Sequence, residues 1–155
     1  GTGGRVMTSP DGTTWTSRTA VGTEQWFAVA WNGTVFAAVG ASVVMTSPDG
    51  TTWTSRTPAA NNDWSSIAWN GTVFSAGGTS GSGNRIMTSP DGITWTSRTS
   101  AKDSWWPAMA WNGLGTGTTL LLPTAGAGSV FAAVSASGTS GLLVMTCHFN
   151  KGGGS

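Results

Sequence analysis

Met45-Thr46-Ser47-Pro48-Asp49-Gly50-Thr51-Thr52-Trp53-Thr54-Ser55-Arg56-Thr57 occurs three times almost unchanged, at residues 7 to 19, 45 to 57 and 87 to 99, with Ile93 as the one departure. A second element, Ala-Trp-Asn-Gly, alternates with it at Ala30 to Gly33, Ala68 to Gly71 and Ala110 to Gly113. Val-Phe follows that element at Val35, at Val73 and, after an insertion, at Val130. Met7 to Met45 spans 38 residues, Met45 to Met87 spans 42, and Met87 to Met145 spans 58; removing 15 extra residues between Gly113 and Val130 returns the last to 43. A period near 40 suits a four-stranded propeller blade.

Each repeat reads as four short strands, because its apolar, β-branched and aromatic runs are short and bounded by turn residues. In the second unit the runs predict strand a at Gln25 to Trp31, b at Thr34 to Gly40, c at Ser42 to Thr46 and d at Thr52 to Thr57. Asn32-Gly33 predicts a type I′ hairpin between a and b, repeated at Asn70-Gly71 and Asn112-Gly113. Ser47-Pro48-Asp49-Gly50 predicts a type I turn between c and d, with Pro fixing φ and Gly free to take a positive one. Strands a and b are apolar on both faces and should lie inside a stack, whereas strand d alternates like an outer, half-wet edge.

The repeated turns, Ser9-Pro10-Asp11-Gly12 to Trp15, Ser47, Asp49 and Gly50 to Trp53, and Ser89, Asp91 and Gly92 to Trp95, resemble the Asp-box of the BNR, or sialidase-like, propeller superfamily. The usual pattern there is Ser-x-Asp-x-Gly-x-Thr-Trp; in this chain Asp is followed directly by Gly, one residue sooner. The resemblance implies a structural hairpin between third and fourth strands. It implies fold, and no catalytic residue comes with it. Sialidases of the superfamily use a Tyr and Glu pair, three arginines and an Asp acid, and this chain has no Tyr. Arg18, Arg56 and Arg98 each occupy the same place in their own repeat, so rotation around an axis would keep them apart.

Thirteen predicted strands make three blades and one strand over, which organises residues 3 to 150 as a single domain. Strands c and d come first at 5–19; blades follow at 25–57 and 64–98; the last, at 105–146, carries the insertion 114–129; 1–2 and 151–155 read as linker. The fold expected is therefore all-β, a propeller of four-stranded antiparallel blades with about three per chain. Three are too few to close a ring. Two copies would make the six found in the sialidase-like superfamily, each amino-terminal hairpin completing the other's last blade. Residues 5–8 and 142–146 then compete for one c position.

Only 8% of the 155 residues are charged, against about 25% in an average soluble domain, and the formal net charge is +1. No basic field exists to hold a nucleic acid or an anionic membrane, and no apolar run is long enough for a spanning helix. One Cys and one His, Cys147 and His148, are too few for a zinc site, and the turn aspartates are explained by capping their own backbone, so neither metal nor cofactor is expected. Trp15, Trp53 and Trp95, then Trp31, Trp69 and Trp111, then Trp26, Trp64 and Trp105 read as repeat positions, leaving Trp106 outside the pattern.

The expected function is a noncatalytic module for binding or assembly, on a cell or virion surface, recognising glycan or protein. Its candidate ligand residues are the nonrepeating ones near the d-to-a and b-to-c loops: Glu24, Asn61, Asn62, Asp63, Lys102, Asp103 and Trp106. The alternatives are a glycoside hydrolase using Glu24, Asp63 or Asp103, and a purely structural or engineered repeat scaffold.

Overall fold

A computed structural model describes residues 6–111, 130–134 and 144–148. The protein is all-β. Among the described residues the strands are β1 (Val6–Thr8), β2 (Thr16–Arg18), β3 (Trp26–Trp31), β4 (Phe36–Gly40), β5 (Val43–Ser47), β6 (Thr54–Arg56), β7 (Trp64–Trp69), β8 (Phe74–Gly78), β9 (Ile86–Ser89), β10 (Thr96–Arg98), β11 (Ala108–Trp111), β12 (Val130–Val134) and β13 (Val144–His148). They form a hairpin β1-β2, a first sheet β3-β4-β5-β6, a second sheet β7-β8-β9-β10 and a third sheet β11-β12-β13, every neighbouring pair antiparallel. The insertion 114–129, the turn Asn112-Gly113, Arg5 and the linker residues at both ends lie outside the described residues.

Register repeats from sheet to sheet. Val29 pairs with Ala38 and Ala38 with Met45; Ile67 pairs with Ala76 and Ala76 with Met87. Both sheets carry a bulge at the start of their first strand, between Trp26 and Ala28 and between Trp64 and Ser66. Because opposed residues share a face, Val29, Ala38 and Met45 line one side of the first sheet, while Ala28, Val39 and Val44 line the other. Ala37, Val39 and Val44 meet Ile67, Phe74, Ala76 and Met87 of the second sheet in one core that includes the fully buried Trp64. The second sheet in turn packs on β11.

On the core-facing side of the second sheet, Trp69 lies 4.7 Å from Phe74, which lies 6.4 Å from Trp95. The first sheet repeats the row with Trp31, Phe36 and Trp53, at 4.3 and 6.4 Å. Such tilted pairs add to the area they bury, and here they join the first and second strands of each sheet to the turn that leads into the fourth.

Two expectations need correction. Neither Asn32 nor Asn70 takes a positive φ, so the two described a-to-b connections are not type I′ turns; in each of them the glycine is positive, Gly33 at 97° and Gly71 at 91°. The Asn32 Oδ1 instead accepts hydrogen bonds from the amides of Thr34 and Val35, and Asn70 does the same for Thr72 and Val73. Side-chain capping of a four-residue loop therefore outcompetes the two-residue turn. Nor is β3 covered on both faces. Phe27, Val29 and Trp31 are 51%, 58% and 43% exposed, whereas their second-sheet counterparts Ile67 and Trp69 are covered by the first sheet. Among the described residues the first sheet stands at the end of the stack, with no sheet beyond it except the short hairpin β1-β2.

Candidate functional site

The three Ser-Pro-Asp-Gly turns share one construction. The Ser47 hydroxyl accepts from the Gly50 amide at 2.8 Å and donates to Asp49 Oδ1 at 3.0 Å; that oxygen accepts from the amides of Thr51 and Thr52 at 2.7 and 2.8 Å. The Trp53 indole then donates to the Gly50 carbonyl at 3.0 Å. Ser9, Asp11, Gly12 and Trp15, and Ser89, Asp91, Gly92 and Trp95, repeat every bond. Gly12, Gly50 and Gly92 have φ of 74°, 74° and 76°, where a side chain is strained. Backbone amides hold the Asp11, Asp49 and Asp91 carboxyls below the usual carboxylate range, with the Thr14, Thr52 and Thr94 amides contributing most. Each carboxylate is thus occupied by its own turn. Arg18, Arg56 and Arg98 likewise each bind a neighbouring-strand hydroxyl, on Thr8, Thr46 and Thr88.

The nonrepeating loop residues divide into two groups. Asn62 is buried and its Nδ2 donates to the Asn84 carbonyl at 2.9 Å, tying the loop before β7 to the loop before β9. Asp103 accepts from the Gly83 amide, from Ser82 and from Ser100, and lies 3.8 Å from Arg85. These contacts, the Gly83 amide first, hold its carboxyl below the usual range. Arg85 donates further to the carbonyls of Gly81, Thr79 and Ser104, so it staples the same loops from within. Glu24, Asn61, Asp63 and Lys102 have exposed side chains along this edge. The structure therefore brings Asp103 to the β8–β9 loop and leaves Glu24 on a different loop, over Gly22.

Trp106 does not stand outside the repeat. It is 0% exposed, and its indole donates to the Lys102 carbonyl four residues earlier at 3.2 Å, as the buried Trp64 donates to Ala60 at 3.2 Å. Its own carbonyl accepts from Ser65 and Ser66 of β7. No face of Trp106 is open to a ligand; the surface indole is Trp105, 58% exposed. The signal was a spacing of five: Trp26 to Trp31, Trp64 to Trp69 and Trp106 to Trp111.

Sequence reasoning also missed an apolar recess. A cavity of about 330 Å³ opens between the hairpin β1-β2 and the outer face of the first sheet, lined by Met7, Trp15, Trp26, Val29, Met45 and Trp53 among others. It is apolar and half open. The buried Trp26 indole NH has no partner among the described residues, unlike those of Trp64 and Trp106.

Among the described residues no group of three or more His, Cys, Asp or Glu side chains is placed to hold a metal, and no helix is long and apolar enough to cross a membrane. No family model and no curated protein sequence matches the chain.

Proposed function

We propose that this chain is a noncatalytic β-propeller module of the Asp-box, sialidase-like kind, acting by assembly and by recognition of a glycan or protein on a cell or virion surface. Two copies supply the six blades of its ring. The observation that carries the reading is the exposure of one repeated position: Met7 is 64% exposed, Met45 1% and Met87 0%. Trp15, at 55%, against Trp95, at 9%, follows the same course. These repeat positions stand open at the amino-terminal end of the stack, where the next blade is missing its first two strands.

Recognition is assigned to the edge bearing the d-to-a and b-to-c loops, where Asn61, Asp63, Lys102 and Trp105 are exposed and the Arg85 and Asp103 contacts hold the backbone beneath them. A rigid edge with an exposed indole and amide and charged groups suits stacking on a sugar ring or a peptide. A glycan array probed with the native particle tests this, with hydrolysis of fluorogenic glycosides measured in parallel. Saturable binding that is weakened by Trp105→Ala, without turnover, is expected. Turnover abolished by Glu24→Gln, Asp63→Asn or Asp103→Asn would establish a hydrolase and overturn the reading.

A further inference from the structure

The groove beside the hairpin β1-β2 has a counterpart inside the chain, and that counterpart is filled. The second sheet presents Ile67, Ala76 and Met87 to the first sheet, and β3 and β4 lie across β7 there. The first sheet presents the equivalent Val29, Ala38 and Met45 on the side of the hairpin, where Ala38 and Met45 are buried and Val29 is not. The bare strand is β3, with Phe27, Val29 and Trp31 exposed. At the other end of the stack, Ala108 and Ala110 of β11 are exposed. They hold the register positions of Ala28 and Ala30, the residues with which β3 meets the second sheet.

The hairpin is itself an incomplete blade. Its register, Val6 with Arg18, Met7 with Ser17 and Thr8 with Thr16, is that of Val44 with Arg56, Met45 with Ser55 and Thr46 with Thr54 in the first sheet. β1 pairs with β2 alone, leaving its other edge without a strand among the described residues. The strand that β1 matches on β12 is β13. Val134, Ala133 and Ala132 pair with Val144, Met145 and Thr146 as Val39, Ala38 and Ala37 pair with Val44, Met45 and Thr46. β1 carries the same three residues, Val6, Met7 and Thr8. The third sheet has no fourth strand among the described residues, whereas β1 brings β2 with it.

We propose that β11 and β12 of a second copy of this chain occupy the groove, and that β1 takes the place of β13 on β12, releasing β13. The proposal rests on the two-copy reading above and names its surfaces. Exchange replaces the Val-Met-Thr part of the β13 ladder by an identical one, so three of the five pairs with β12 are conserved. What is gained is a fourth strand on the blade and the covering of two apolar faces, β3 of one copy by β11 of the other. The chain therefore carries its own stopgap: β13 satisfies the edge of β12 until a second copy arrives, which keeps an unpaired edge from random pairing.

The test places cysteines at opposed register positions in a Cys147→Ser background: Met7→Cys with Ala133→Cys, and, in a separate protein, Met145→Cys with Ala133→Cys. Under mild oxidation the first pair should link two chains into a covalent dimer, and the second should not link within particles of twofold mass. Twofold particles in which Ala133 links to Met145 within one chain, or in which Met7 fails to link across chains, overturn the exchange while the ring stands. Particles of single-chain mass overturn both. Larger species carrying the cross-chain link support the exchange and overturn the count of six blades.

Discussion

The Thr8 Cγ2 lies 3.1 Å from where a Cβ on Gly50 would stand, and the Thr46 Cγ2 lies 3.3 Å from the same point on Gly92. The hairpin β1-β2 thus sits on the first sheet as β5 and β6 sit on the second. At Gly92, however, the Ala37 Cβ is also within 3.4 Å, and it comes from a b strand. At Gly50 the other near atoms are those of Phe36 of the same sheet. One contact of the repeat is absent, because the hairpin β1-β2 carries no b strand among the described residues.

Charge at the open face should separate folding from assembly. Met7→Asp and Val29→Asp place a carboxylate on surface that is exposed in the single chain, so a cooperative melt should survive, lowered only by what assembly contributes. Particle mass by light scattering should fall to that of one chain. Met87→Asp, at a position with no exposure, should leave no cooperative melt at all.

Glycine at the three turns should differ in its tolerance of a side chain. Gly12→Ala meets nothing within 4 Å and carries only the cost of a positive φ, about 1–2 kcal/mol. Gly92→Ala adds crowding against Thr46, Ala37 and Phe74 at 3.3 to 3.4 Å and should cost more, read as the larger drop in urea midpoint.

Ser47 is buried and its hydroxyl serves the Gly50 amide and Asp49. Ser47→Ala strands that amide and should destabilise by about 1–3 kcal/mol. Ser9→Ala, on an exposed turn where water can replace the hydroxyl, should cost clearly less in the same denaturation measurement.

Acid should loosen the turns. Asp11, Asp49, Asp91 and Asp103 all have folded values below the ordinary one, so the stability they contribute is complete above about pH 4 and is lost as pH falls through their folded values. Melting temperature should be level near neutrality and decline below about pH 4. Asp91→Asn with Asp103→Asn should flatten that decline, because neither amide titrates there.

Replacing Phe74, buried between Trp69 and Trp95, by Ala should cost about 3–5 kcal/mol. Its counterpart Phe36 is only half buried, so Phe36→Ala should cost less in a single chain. In the assembled particle the two costs should converge, a difference that denaturation at two protein concentrations would reveal.

What was legible in the residues was local. Ser47, Asp49 and Gly50 announce their turn because the bonds that build it span two or three positions. The alternation of β6 and the apolar runs of β4 and β8 locate strands for the same reason. Asn32 misled because Asn and Gly suit either a type I′ turn or a side-chain cap, and the four-residue loop decided between them. Trp106 was hidden by its neighbour Trp105, although the distance to Trp111 identifies it. Least legible were contacts between distant segments: Asn62 with Asn84, and Arg85 with Ser104 and Asp103. Nor does any repeat position disclose that Val29 is exposed while Ile67 is covered, since that difference belongs to place in the stack.

Native mass spectrometry of the full chain bears most directly on the proposal that the stack lacks its end blade and takes it from a second copy. A particle of twice 15.7 kDa is the predicted result. A stable species of 15.7 kDa at micromolar concentration, with Met7 and Val29 still open to solvent, would contradict it.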